Sequence, residues 1–253
     1  MAGLKFTRHF RLLFYKTLIM KKLLFCATLA VLAFSCSKEK RECPGSIEKV
    51  FNQTGFTKVK LGDANTVSIT KADVFSINAK GCADDLADLV ITIEPGHILD
   101  IRFRNYKNNR NRVDFTITLP VLNGVILSGA SEGAVSGFED QNQVMRAVLS
   151  GASTGVVNGT GIDLSIDISG ASKLTANGTT ENLYGNISGA SNLEAFGVTA
   201  TEVDIAASGN SIARVTAVDK IFADASGAST IYYKGNPAVK SLVTSGAGRI
   251  VKE

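Results

Sequence analysis

The sequence predicts an all-β protein: a right-handed parallel β-solenoid, or β-helix, with an N-terminal β cap. Three observations carry that prediction. The tetrapeptide Ser128-Gly129-Ala130-Ser131 returns six times in the same or a closely related form, its first serines separated by 22, 19, 19, 20, 18 and 19 residues. The residues that flank each copy alternate apolar and polar, the mark of strands with one buried face. The chain has 24 glycines but only 4 prolines, none between Pro120 and Pro237, as uninterrupted backbone ladders require.

The copies are Ser150-Gly151-Ala152-Ser153, Ser169-Gly170-Ala171-Ser172, Ser188-Gly189-Ala190-Ser191, Ser208-Gly209-Asn210-Ser211, Ser226-Gly227-Ala228-Ser229 and Ser245-Gly246-Ala247-Gly248. Before each copy stand small or apolar residues such as Leu127, Leu149, Ile168 and Ile187, with Val125, Ala147, Ile166 and Ile205 two places earlier. Leu174, Leu193, Ile231 and Ile250 fill one site after the motif, and Val135, Val157, Ala176, Ala195, Val215 and Tyr233 fill another. A glycine follows nine residues after the first serine at Gly137, Gly159, Gly178, Gly197 and Gly235, with Ala217 the exception. One unit therefore reads strand, small-residue bend, strand, glycine turn. A unit of this length is too short for a propeller blade of roughly 40–45 residues and suits one coil of a β-helix.

Residues 46–120 have a different texture. Strands are expected around Val59–Leu61, Thr66–Ile69, Val74–Asn78, Leu89–Ile93, Ile98–Phe103 and Val113–Leu119, with a hairpin turn at Glu94-Pro95-Gly96-His97. The sequence thus divides into an N-terminal β region, 48–120, expected as an antiparallel or mixed cap on the first coil, and the repeat β-helix, 121–253. A cap would cover backbone groups left open at a stack end.

The first 36 residues read as an export signal. Met20-Lys21-Lys22 opens a basic segment, and Leu23 to Phe34 is an apolar run shorter than the roughly 20 residues that span a bilayer. It ends at Ala33-Phe34-Ser35-Cys36, followed by a polar tether over 37–47, and Met20 is a candidate true start. Ala33-Phe34-Ser35-Cys36 resembles the lipobox of bacterial lipoproteins, in a looser form. The resemblance implies cleavage before Cys36 and acylation there, a membrane anchor of several chains. Beyond this segment the charge falls to 21 basic against 23 acidic residues, so a general attraction to nucleic acid is not expected. Cys43 and Cys82 remain as an even pair in an oxidising compartment. They fit either a disulfide that clips the tether to the first strands, or a small buried Cys82 beside an incidental Cys43.

The lipobox, the Leu119-Pro120 strand end, the repeated Ser-Gly-Ala-Ser and the run Tyr232-Tyr233-Lys234-Gly235-Asn236-Pro237 resemble, in that order, the auto-transporter adhesin head GIN domain family. That family is common in lipoproteins of Bacteroidetes-type bacteria. The similarity spans about residues 48–250. It implies a β-helix in the cell envelope and brings no catalytic residues with it. Asn210 and Gly248 depart from the pattern.

Three features could carry chemistry. The serine columns could meet sugar hydroxyls, but their stronger reading is structural, with hydroxyls satisfying backbone groups at the bends. No serine nucleophile is expected, because His97 is the one histidine outside the signal and lies outside the repeats. Asp204 and Asp224 fall in neighbouring coils two positions apart, roughly 8 Å if both face outward, and Asp167 shares a column with Asp224. This pair is weak ground for a lyase or hydrolase, since no basic or aromatic partner is evident beside it. Arg102, Arg104, Tyr106, Lys107, Arg110 and Arg112 lie in one short segment that could hold an acidic glycan or another polyanion. The plainer reading is a solvated loop between two strands, with Phe103 facing the core.

The sequence therefore points to a non-enzymatic lipoprotein of the cell envelope, held on the outer membrane through Cys36. Its β-helix would offer a surface to a glycan or to an envelope or host ligand. No cofactor, metal or nucleic-acid partner is expected. The alternatives are a carbohydrate-active enzyme using outward carboxylates and a purely structural envelope component.

Overall fold

In most of the described strands where apolar and polar residues alternate, the apolar set lines one continuous interior. The structure, a computed structural model, describes residues 42–43, 45–139, 143–159 and 161–253. In chain order the first strands are β1 (Ser46–Phe51), β2 (Lys58–Leu61), β3 (Thr66–Lys71) and β4 (Ser76–Cys82). A short helix α1 (Ala83–Ala87) precedes β5 (Leu89–Glu94), β6 (Ile98–Phe103) and β7 (Asp114–Leu119). The repeats supply β8 (Gly124–Leu127), β9 (Glu132–Ser136), β10 (Val144–Leu149), β11 (Thr154–Asn158) and β12 (Asp163–Ile168). Next come three long strands, β13 (Lys173–Ile187), β14 (Asn192–Ala207) and β15 (Ile212–Ala225), then β16 (Thr230–Lys234), β17 (Val239–Thr244) and β18 (Arg249–Lys252).

The seven Ser-Gly bends stack in file, each joining a strand before the motif to a strand after it. Before the motif, β8, β10, β12, the second halves of β13, β14 and β15, and β17 pair in parallel, so that Leu127, Leu149, Ile168, Ile187, Ala207 and Ala225 align. After it, β9, β11, the first halves of β13, β14 and β15, β16 and β18 form a second parallel ladder. Backbone bonds continue through the bends themselves. Ala171 donates its N–H to the Gly151 carbonyl, Ala190 to Gly170 and Asn210 to Gly189, at 2.8, 2.8 and 2.7 Å. Asn210 thus leaves its bend unaltered. The glycine of each motif sits at positive φ, from +62° at Gly129 to +78° at Gly170, a backbone region that favours a residue without Cβ.

The N-terminal region holds two further layers of the same stack. β2 pairs in parallel with both β6 and β8, and β3 with both β7 and β9. The boundary expected at residue 120 is therefore not an architectural one, and Glu42–Glu253 form one unit. The physical reason lies in the side chains: Val59 and Leu61 on β2, and Leu99 and Ile101 on β6, present the same alternation as Val125 and Leu127 on β8, and all six are buried. The layers do not follow chain order. β2–β3 lies between β6–β7 and β8–β9, so the chain passes one layer by when it leaves β7 for β8. Antiparallel strands close this end: β5 on β6, β4 on β7, and β1 on β4. The pairing is mixed, as expected of a cap, and Glu94–His97 turns the chain between β5 and β6.

A further bend, without the Ser-Gly-Ala-Ser motif, joins β2 to β3 at Gly62-Asp63-Ala64-Asn65. Asn65 is buried where the later bends carry their last serine. Its amide donates to the Gly62 carbonyl at 2.9 Å and accepts from the Val113 N–H at 3.0 Å.

Candidate functional site

The repeated serines are structural. The last serine of each motif from Ser131 to Ser229 is buried at 2 % exposure or less. Ser153, Ser211 and Ser229 donate their hydroxyls to the carbonyls of Ser150, Ser208 and Ser226, each at 2.8 Å. Ser172 accepts the Ser153 N–H at 3.2 Å. The hydroxyls of Ser153, Ser211 and Ser229 are spent within their own bends, and those of Ser131 and Ser191 are buried without a partner among the described residues, so none of the five is open to a sugar. His97 is likewise engaged, its Nδ1 lying 2.9 Å from the Gly55 carbonyl.

The basic segment 102–112 spans the loop between β6 and β7, as its plainer reading expects, and Phe103 packs partly buried against the core. Most of its cations are already partnered. Arg102 pairs with buried Asp100 at 2.9 Å, Arg112 with Glu132 at 2.9 Å and Lys107 with Asp88 at 4.0 Å. Arg110 turns inward: its side chain is 8 % exposed, pairs with Asp85 and Asp88 of the α1 segment, and lies over the Phe103 ring at 3.8 Å. That guanidinium holds the Asp88 carboxyl below its ordinary pKa, with help from the Asn105 amide. Four of the six side chains brought together by sequence are thus held by acids of the same chain. Tyr106, 89 % exposed, and exposed Arg104 remain open to solvent.

The carboxylate columns stand as expected in register. Asp204 pairs across the ladder with Tyr184 on one side and Phe222 on the other, and Ala206 with Asn186 and Asp224. Asp167 lies in the Asn186, Ala206 and Asp224 row. The expectation that nothing aromatic borders this pair needs correction, because the flanking residues lie about 20 positions away in sequence and become neighbours only through stacking. Other acids of this face are paired: Asp167 with Arg146 at 2.5 Å, Glu202 with Lys220 at 2.9 Å, and Asp163 with the Asn182 amide at 2.8 Å. Glu202 accordingly raises the pKa of Lys220.

Cys43 and Cys82 are joined as a disulfide that ties the residues before β1 to the end of β4. Cys36, with the whole signal segment, lies outside the described residues. Among the described residues no helix is long and apolar enough to cross a membrane.

A parallel solenoid with buried serine bends and outward rows of mixed polar and aromatic side chains defines the class: a repeat-built, surface-presenting β module. Within that class, the chain belongs to the family described as "Putative auto-transporter adhesin, head GIN domain", whose model matches residues 55–237. Among solved structures it is similar to one described as a putative adhesin from Bacteroides fragilis, with TM-score 0.78 and 21 % identity over 83 % of this chain and 98 % of that one. A putative adhesin from Parabacteroides merdae has TM-score 0.64 and 18 % identity, covering 83 % and 97 % of the two chains. A putative lipid binding protein from Parabacteroides distasonis has TM-score 0.64 and 17 % identity, over 83 % and 97 %. At these identities the solved structures speak for the fold alone. No curated protein matches the chain.

Proposed function

We propose that this protein is a non-enzymatic lipoprotein of the cell envelope, acylated at Cys36 and anchored in the outer membrane, whose solenoid presents ligand-binding faces for adhesion. The observation that carries this reading is the stack itself. Nine strands lie in each parallel ladder, from β6 to β17 and from β7 to β18, and fix outward side chains in rows of constant spacing. Such a surface is organised before a ligand arrives, which lowers the ordering cost of binding. The apolar run ending at Cys36, the polar tether behind it and membership of an adhesin family support the envelope location. In the loop between β6 and β7, Arg104 and Tyr106 are the side chains that remain placed for a polyanionic glycan.

Protease treatment of intact cells tests the reading, with Cys36→Ala as the companion variant. Cleavage of the wild-type solenoid on intact cells, and loss of fatty-acid label with release from the membrane in Cys36→Ala, are expected. Protection of the solenoid until the outer membrane is opened would exclude an adhesive role, and unchanged labelling of Cys36→Ala would exclude the anchor. Turnover of any member of a polysaccharide panel, lost in Asp204→Asn, would exclude the non-enzymatic reading.

A further inference from the structure

The two outward faces of the solenoid treat their aromatic rings differently. On the face after the bends, each ring is covered by a cation of the same chain. Arg214 pairs with Glu194 at 2.6 Å and lies over the Tyr232 ring at 5.0 Å, while Lys234 lies 4.2 Å from the centre of the Phe196 ring. On the face before the bends, Tyr184, Asp204 and Phe222 stand in one row of three successive coils. This row repeats the aromatic and acidic parts of the first arrangement without its cation. Tyr184 is 43 % exposed and Asp204 is exposed. Among the described residues no cation lies over Tyr184 or Phe222.

The surrounding charges point the same way. Between β10 and β17 this face carries five acids, Asp163, Asp167, Glu202, Asp204 and Asp224, against two bases, Arg146 and Lys220. Both bases are already committed, to Asp167 and Glu202. Of the other three, Asp163 accepts from the Asn182 amide, and Asp204 and Asp224 are left without an ion pair among the described residues. They stand diagonally to one another, Ala206 adjoining both, with Asn186 on its far side.

We infer that this row is a docking site for a basic polypeptide segment in extended conformation. Its cationic side chains at positions i and i+2 would take Asp204 and Asp224, with their flat or methylene portions against Tyr184 and Phe222. The spacing fits. Two carboxylates in adjacent coils and two residues apart are separated by about 8 Å, and alternate side chains of an extended chain by about 6.7 Å. Charge and ring face act on one group here, as Glu194 and Tyr232 act together on Arg214. The inference rests on the solenoid being a ligand-presenting surface but not on its anchor.

The test is a titration of the full-length protein, in detergent, with a fluorescent Thr-Arg-Thr-Arg-Thr peptide at low ionic strength, beside a Thr-Glu-Thr-Glu-Thr control. The arginine peptide is expected to bind and the glutamate peptide not. Asp204→Asn/Asp224→Asn is expected to weaken binding about tenfold or more, and Tyr184→Ala several-fold. Asp167→Asn, which removes one charge from an acid already paired, is expected to stay within about twofold. Three results would each overturn the inference: no binding to wild type, unchanged binding to the double variant with its circular dichroism intact, or equal loss in Asp167→Asn. None of these depends on the protease result, so failure here leaves the envelope reading standing and the reverse also holds.

Discussion

A Cβ added to Gly189 would lie 2.5 Å from the carbonyl oxygen of Gly170, the glycine of the preceding bend. That oxygen already accepts the Ala190 N–H at 2.8 Å. The glycines of successive bends are therefore required by how closely one coil's backbone passes the next, and not only by their positive φ. Ala130 makes the distinction plain, since it holds φ +68° without being glycine. Gly189→Ala is expected to cost about 2–4 kcal/mol, the left-handed term plus backbone displacement, measured by urea unfolding. Ala190→Asn should be near neutral, because Asn210 occupies the equivalent place with its backbone bond intact.

Most of the solenoid was legible in sequence, because a bend that admits only small residues leaves a literal repeat and a buried strand face leaves alternation. What alternation cannot report is which strand lies next to which. Val59 and Leu61 mark β2 as half-buried, but nothing local to them says that the strand sits between β6 and β8. The candidate sites were legible to a lesser degree. The basic loop reads as a cluster of free cations, while in the fold Arg110 turns in toward Asp85 and Asp88, more than 20 residues away. Tyr184 and Phe222 gain their meaning only beside Asp204, and stacking alone brings them there.

The bend at Gly62–Asn65 was illegible because asparagine does there what serine does elsewhere. Asn65 makes two bonds, one to its own bend and one to the Val113 N–H of the neighbouring layer. Asn65→Ala leaves a buried N–H and a buried carbonyl unsatisfied, and is expected to cost about 2–4 kcal/mol. Asn65→Ser should recover part of that, since a hydroxyl can reach the bend carbonyl but not both partners. Thermal melts of the two variants rank them: equal losses would mean that the bond to the bend carbonyl contributes nothing, and a serine variant as stable as the parent would mean the same of the bond from Val113.

The disulfide closes a loop across a sequence separation of 39 residues. Chain entropy alone would give it about 4 kcal/mol. Its effect should be local. β1 pairs with β4 and with no other strand among the described residues, and its side chains are mostly exposed. Cys43→Ser/Cys82→Ser is expected to lose hydrogen-exchange protection over Ser46–Phe51 first. The far-UV signature of the repeats should persist. Simultaneous loss of protection across the solenoid would show instead that the clip holds the whole stack.

Arg110 gives the N-terminal layers a pH dependence whose sign is fixed. Its guanidinium lowers the Asp88 pKa from an ordinary value of 3.8. A depressed carboxyl stabilises the fold fully above that value and progressively less as pH falls through the folded-state value below it. Arg110→Gln should therefore lower the urea midpoint strongly at pH 7 and by less at pH 3. A loss of equal size at both pH values would assign the role of Arg110 to its packing on Phe103 rather than to its charge.

The far end of the stack carries its own safeguard. Met145, Leu164, Leu183, Val203 and Ile221 form one buried inward row, and the next position in that row is Lys240. The row of Val135, Val157 and Ala176, continued beyond a register shift by Ala195, Val215 and Tyr233, likewise ends in Lys252. Around them the last coil exposes Leu242 at 42 %, with Val239, Val243 and Val251 also open. β17 and β18 each offer an edge with no strand beyond it among the described residues. Apolar surface beside open backbone edges invites another sheet, whereas two lysines in core-facing slots oppose it, because a stacked coil would bury both ammonium groups unpaired. Lys240→Ile/Lys252→Val completes both apolar rows and removes that obstacle. The double variant is expected to associate end to end, with a light-scattering mass that rises with concentration while the parent's does not. If the two behave alike, the edge is kept free by something other than these charges.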